Sequence, residues 1–87
     1  MKMSDDRFGT EQTVKMIGIS FERLRYWERK GIVRPQYVQC GTRKFRRYSK
    51  EDIKRAKFVK ILVDEEKYSL EGAHRLLEQK DGLMDIL

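Results

Sequence analysis

The sequence predicts a mainly α fold: a winged helix-turn-helix of four helices with a small two-stranded hairpin between the second and third. Three observations predict it. Two short helical stretches are separated by a brief turn containing Gly18, the spacing of a helix-turn-helix. A Pro- and Gly-punctuated segment rich in arginine follows, over 32–48. Two further apolar-periodic stretches then begin at Ser49 and Ser69. With 87 residues the chain is one small domain, and its core must come from 39% hydrophobic residues set against 39% charged ones.

Each element follows from local chemistry. Residues 1–8 read as a loose lead-in. Thr10 is suited to cap a helix running to Ile17, with Val14 and Ile17 on one face, and Gly18 breaks it. Ser20 is the N-cap of a second helix, FERLRYWERK, whose Leu24 and Trp27 face the core, and Gly31 stops it from the C′ position. Ile32, Val33 and Pro35 then read as a short extended piece; proline has no N–H to donate, so this is an edge or turn. YVQCGTRK reads as a loop centred on Gly41, and FRRY as the returning strand. Ser49 caps the third helix with Asp52 at N3. Its buried face is Ile53, Ala56, Val59 and Val63, widened by Phe58 and Leu62. DEEK interrupts the pattern. Ser69 caps the last helix, carried by Leu70, Ala73, Leu76 and Leu77. Met84 and Leu87 continue at a coiled-coil-like spacing, which Gly82 weakens. The domain is expected over 8–78, with 79–87 a tail or the start of a dimerisation helix.

Charge is unevenly distributed. Lys and Arg number 20 against 14 Asp and Glu, net +6. Residues 20–60 carry net +10 and residues 61–87 net −4. A basic surface of this kind suits a polyanion, and the acidic end is expected to face away from it. One cysteine and one histidine exclude a disulfide framework and a multi-ligand Cys or His metal site. No Ser/His/Asp set, phosphate loop or paired carboxylates point to an enzyme, and no cofactor is implied. No apolar run reaches membrane-span length, and the first ten residues lack a signal-peptide core. A cytoplasmic protein is expected.

In a helix-turn-helix the first two turns of the second helix reach base edges in the major groove. Here that places Phe21, Glu22 and Arg25 near bases, with Tyr26 beside them and Ser20 at the helix start. Phe21 suits a thymine methyl, Glu22 a cytosine amino group, and Arg25 guanine or a phosphate. The bland alternatives are a helix-start staple for Phe21, helix-dipole stabilisation for Glu22, and an ion pair with Glu22 or Glu28 for Arg25. Arg43, Lys44, Arg46 and Arg47 make the wing basic. Cys40 reads as a free thiol and His74 as a structural residue.

The ordered set Gly18-Ile19-Ser20, Leu24-Arg25-Tyr26-Trp27-Glu28, Gly31, Pro35, Arg46, Tyr48-Ser49, Asp52 and Ser69-Leu70 resembles the DNA-binding domain of the MerR family of transcriptional regulators, over 8–78. The resemblance implies homodimers on pseudo-palindromic promoter or operator DNA, with regulation through DNA deformation. It also implies that Arg25, Tyr26 and Trp27 touch bases or phosphates and that Arg46 is the wing arginine. Members continue into a long dimerisation helix and an effector domain. A homodimer is therefore expected where that helix is present, and a monomer for these 87 residues alone. Two other functions fit the residues. One is an excisionase-like recombination accessory factor, separable by a footprint at an attachment site rather than a promoter. The other is a protein-binding module using the acidic C-terminal segment.

Overall fold

Glycine or serine marks the start of all four helices and the end of the first two. The computed structural model describes the backbone of residues 7–86 and the side chains of residues 7–81. Among these it has α1 (Thr10–Ile17), α2 (Phe21–Arg29), β1 (Gln36–Cys40), β2 (Arg43–Arg47), α3 (Lys50–Asp64) and α4 (Leu70–Ile86). This is a winged helix-turn-helix, as expected.

α1 begins one residue earlier than the expected cap allows. Gly9 is its N-cap, and the Gly9 N–H donates to Gln12 Oε1 at 3.4 Å. Thr10 is therefore the first helical residue. Gly18, at φ +85°, ends the helix in the left-handed region, and its N–H donates to the Val14 carbonyl at 2.7 Å. Ser20 Oγ then accepts the Arg23 N–H at 3.1 Å and starts α2. That helix closes in a Schellman motif: the Gly31 N–H donates to the Glu28 carbonyl and the Ile32 N–H to the Trp27 carbonyl, each at 3.0 Å.

α3 opens with a reciprocal capping box. The Asp52 N–H donates to Ser49 Oγ at 3.1 Å and the Ser49 N–H to Asp52 Oδ2 at 3.0 Å. The other carboxylate oxygen accepts the Arg34 N–H at 2.9 Å. This satisfies a carboxylate that is only 5% exposed and fixes the segment before the wing to α3. Ser69 Oγ starts α4 by accepting the Gly72 N–H at 3.0 Å.

The core is where these helices converge. α1 contributes Val14 and Ile17, α2 Leu24 and Trp27, α3 Ile53, Ala56 and Val59, and α4 Ala73 and Leu77. Ile32, Val33 and Tyr48, on either side of the wing, complete it. Each fully buried aliphatic or aromatic side chain contributes about 1.5–3 kcal/mol.

Three expectations are corrected. YVQCGTRK is not a loop: its residues 37–40 and 43–44 are strand, joined by the two-residue turn Gly41–Thr42. Gly41 has φ +65° and Thr42 does not have positive φ, the pattern of a type II′ hairpin turn. The strands pair antiparallel from Gln36↔Arg47 to Cys40↔Arg43. The lead-in is not loose at its end: Phe8 and Tyr48 exchange two backbone hydrogen bonds of 2.7 Å each. Finally, α4 runs through Gly82 without a break. The side chains of Met84 and Leu87 lie outside the described residues.

Candidate nucleic-acid interface

Burial of Leu24 and Trp27 fixes which way α2 faces. The opposite arc is formed by two i, i+4 rows: Phe21, Arg25 and Arg29, and Glu22, Tyr26 and Lys30. All six are exposed, and Phe21 is half uncovered at 52%. The Arg29 guanidinium and the Lys30 ammonium lie 5.5 and 5.4 Å from the Tyr26 ring centroid, so the ring carries cations toward the end of the arc. Arg29 and Lys30 were not singled out from the sequence. Their i+4 spacing from Arg25 and Tyr26 is the signal that finds them.

The arc is bounded on both sides by ion pairs that leave its own cations available. On one side Arg23 Nη2 meets Asp64 Oδ1 at 2.7 Å, tying α2 to the end of α3. The Arg23 guanidinium also stacks 5.0 Å from the Trp27 ring centroid. The Arg23 hydrogen bond holds the Asp64 carboxyl below its ordinary value. On the other side Glu28 is taken by Arg46 Nε at 2.8 Å. Glu28 is thus committed to the wing, and Arg25, its i+3 neighbour, stands exposed.

Trp27 leaves the interface set. It is 2% exposed and its ring is enclosed by the core, so its side chain cannot reach a base or phosphate. What it does is hold the arc outward. Ser20 is exposed, with its hydroxyl engaged in the N-cap.

The four wing cations divide into two kinds. Arg43 and Lys44, beside the turn, are exposed, with the Arg43 guanidinium 5.2 Å from the Phe45 ring centroid. Arg46 and Arg47 are half-buried and hold the wing to the body. Arg46 reaches Glu28, and Arg47 Nη2 donates to the Arg7 carbonyl at 3.2 Å. Burial works against the Arg46 cation, but the Glu28 hydrogen bond and charge outweigh it and raise its pKa. Glu28 also accepts from the Tyr37 hydroxyl, and that bond raises the Tyr37 pKa. Tyr48, fully buried beside Glu28, is pushed up to about 12, mainly by burial.

Among the described residues no group of three His, Cys, Asp or Glu side chains can hold a metal ion, and no helix is long and apolar enough to cross a membrane. Cys40 is exposed and free. His74 is half-buried on α4, with Nε2 at 3.6 Å from Glu78 Oε2.

What the arrangement offers is a helix presenting three exposed cations, two aromatic rings and one carboxylate on a single arc, next to a hairpin with a cationic tip. The sequence matches a family described as MerR HTH family regulatory protein over residues 10–80. It is 35% identical over 68 residues to a mercuric resistance operon regulatory protein of Shigella flexneri, across 78% of this chain and 45% of that protein. The chain thus spans less than half the length of that relative.

Proposed function

The chain belongs to the MerR family of helix-turn-helix regulatory proteins, and on that premise we propose that it is a sequence-specific, double-stranded DNA-binding transcriptional regulator. The observation that carries the reading is the α2 arc, whose exposed side chains are of the kinds that suit base edges and phosphates. Arg25 matches the O6/N7 edge of guanine, Glu22 the cytosine amino group, and the Phe21 ring the thymine methyl. Arg29 and Lys30 suit phosphates flanking the groove. With α2 in the major groove, Arg43 and Lys44 on the wing meet the neighbouring backbone. Promoter or operator DNA is the partner, met in the cytoplasm, by a homodimer where a dimerisation helix is present.

Selection of bound sequences from random duplex DNA tests this. A recurrent motif is expected, and a two-fold symmetric one would establish dimeric binding as well. Failure to enrich any motif, or a preference for single-stranded RNA over duplex, would overturn the reading.

A further inference from the structure

A helix and a wing read one site only if the distance between them is fixed, and apolar packing does not fix it here. Every residue of β1 is exposed, as are Arg43, Lys44 and Phe45 of β2. The base of the hairpin is anchored by the Phe8–Tyr48 bridge and by Arg47 on the Arg7 carbonyl. Those contacts lie at one end of the hairpin, its base.

Beyond that base, among the described residues, the hydrogen bonds between the wing and α2 converge on one carboxylate. Tyr37 and Arg46 are cross-strand partners, and Glu28 holds both: Arg46 Nε donates to Oε1 at 2.8 Å and the Tyr37 hydroxyl donates to Oε2. The Tyr48 hydroxyl lies 3.5 Å from Oε1. The Arg46 guanidinium stacks 5.4 Å from the Tyr37 ring centroid, which closes the rung on itself. One side chain of the recognition helix therefore grips both strands at the same register position. With 17% of its side chain exposed, Glu28 has little surface left for DNA.

Resting on the DNA-binding reading above, we infer that Glu28 is a positioning residue that sets the angle and distance between α2 and the wing, and so sets selectivity for a site that both must touch. Arg46 accordingly acts through this rung as a strut rather than as one more phosphate contact.

Charge and positioning make opposite forecasts for Glu28→Gln, which is what makes the inference testable. Removing a negative charge from a DNA-facing region tightens all duplex binding by simple electrostatics. Loosening the strut weakens only the selected site, which needs both elements in register. The experiment titrates wild type and Glu28→Gln on the selected duplex and on a random duplex at one salt concentration, alongside thermal melting. The expected result is about a tenfold loss on the selected site, the scale of a partly exposed hydrogen bond to a charged group. Random-duplex affinity should be unchanged or tighter, and the melt nearly unchanged. Tyr37→Phe removes only an exposed hydroxyl and should show about a threefold loss in the same direction; it decides the matter if Glu28→Gln does not fold. Selectivity kept by the folded variants, or equal losses on both duplexes, would overturn the inference. Absence of selectivity in the wild type would instead overturn the DNA-binding reading on which it rests.

Discussion

α2 and α4 are built alike on the inside and unlike on the outside. Each sends a pair of residues into the same core, Leu24 and Trp27 from one, Ala73 and Leu77 from the other. Each also exposes an arginine, Arg25 and Arg75. Around Arg25 stand Arg29, Lys30 and two aromatic rings, with a basic wing alongside. Around Arg75 stand Glu71 and Glu78, both exposed, and Asp81 of the same helix is taken by Arg55 of α3. Arg55 also donates through Nε to the Ile32 carbonyl at 2.9 Å, so α4 is joined to the chain just beyond α2. The inward faces determine that these helices pack. On the proposed reading, the outward faces determine which of them meets DNA.

The largest expected effect tests the division between inside and outside. Trp27→Ala should cost about 3–5 kcal/mol, a large share of the stability of a domain this size. Thermal melting should collapse, and binding to selected and random duplexes should vanish together. A variant that melts normally and loses only selectivity would return Trp27 to the interface.

A second prediction concerns the seam between core and wing. Burial pushes the Tyr48 hydroxyl up to about 12 in the folded state, above the ordinary tyrosine value of about 10. The folded state therefore keeps a proton that the unfolded state loses. Its stabilising contribution is fully present below pH 10 and declines as pH rises from 10 towards 12. Alkaline denaturation followed by circular dichroism should be steeper across that window in wild type than in Tyr48→Phe. Equal slopes would contradict it.

Smaller effects come from exposed charges. Arg43→Ala and Lys44→Ala should each reduce the salt slope of duplex binding by about one and leave melting unchanged. Lys80→Ala on α4, whose ammonium stacks 5.0 Å from the Phe58 ring centroid, should leave that slope alone. A shared reduction would erase the contrast between the two helices. Smallest is the Arg23–Asp64 pair. The Arg23 hydrogen bond holds its carboxyl below the ordinary aspartate range, so its contribution is present above that range and fades as pH falls through it. Asp64→Asn should give a slightly lower melting temperature at neutral pH that converges with wild type in acid. A difference that grows in acid would contradict this.

How much of this was legible in the sequence follows burial and distance along the chain. Ser20, Gly31, Ser49 and Ser69 mark their helix boundaries because caps are local hydrogen-bond chemistry within a few residues. The wing is legible as a hairpin, but residues 37–40 of its first strand read as a loop, because both faces of β1 are exposed and it carries no alternation of buried and open positions. Phe8 was missed because its partner, Tyr48, lies far along the chain. The Glu28 rung was missed for the same reason: Tyr37, Arg46 and Tyr48 give no periodic signal that points back to α2. Resemblance placed Trp27 among the residues touching DNA while spacing placed it in the core, and burial decides for the core. Arg25 and Tyr26 were readable as an outward face because a helix that buries Leu24 and Trp27 must turn them the other way.

The most direct test sets Arg25 against Arg75. Both variants, Arg25→Ala and Arg75→Ala, are titrated on one selected duplex at one salt concentration, with melting measured in parallel. Arg25→Ala should lose about 1–3 kcal/mol of specific binding with folding intact, and Arg75→Ala should match wild type within error. Equal losses for the two would mean that the attraction is spread over a merely basic protein and that α2 is not the face that docks.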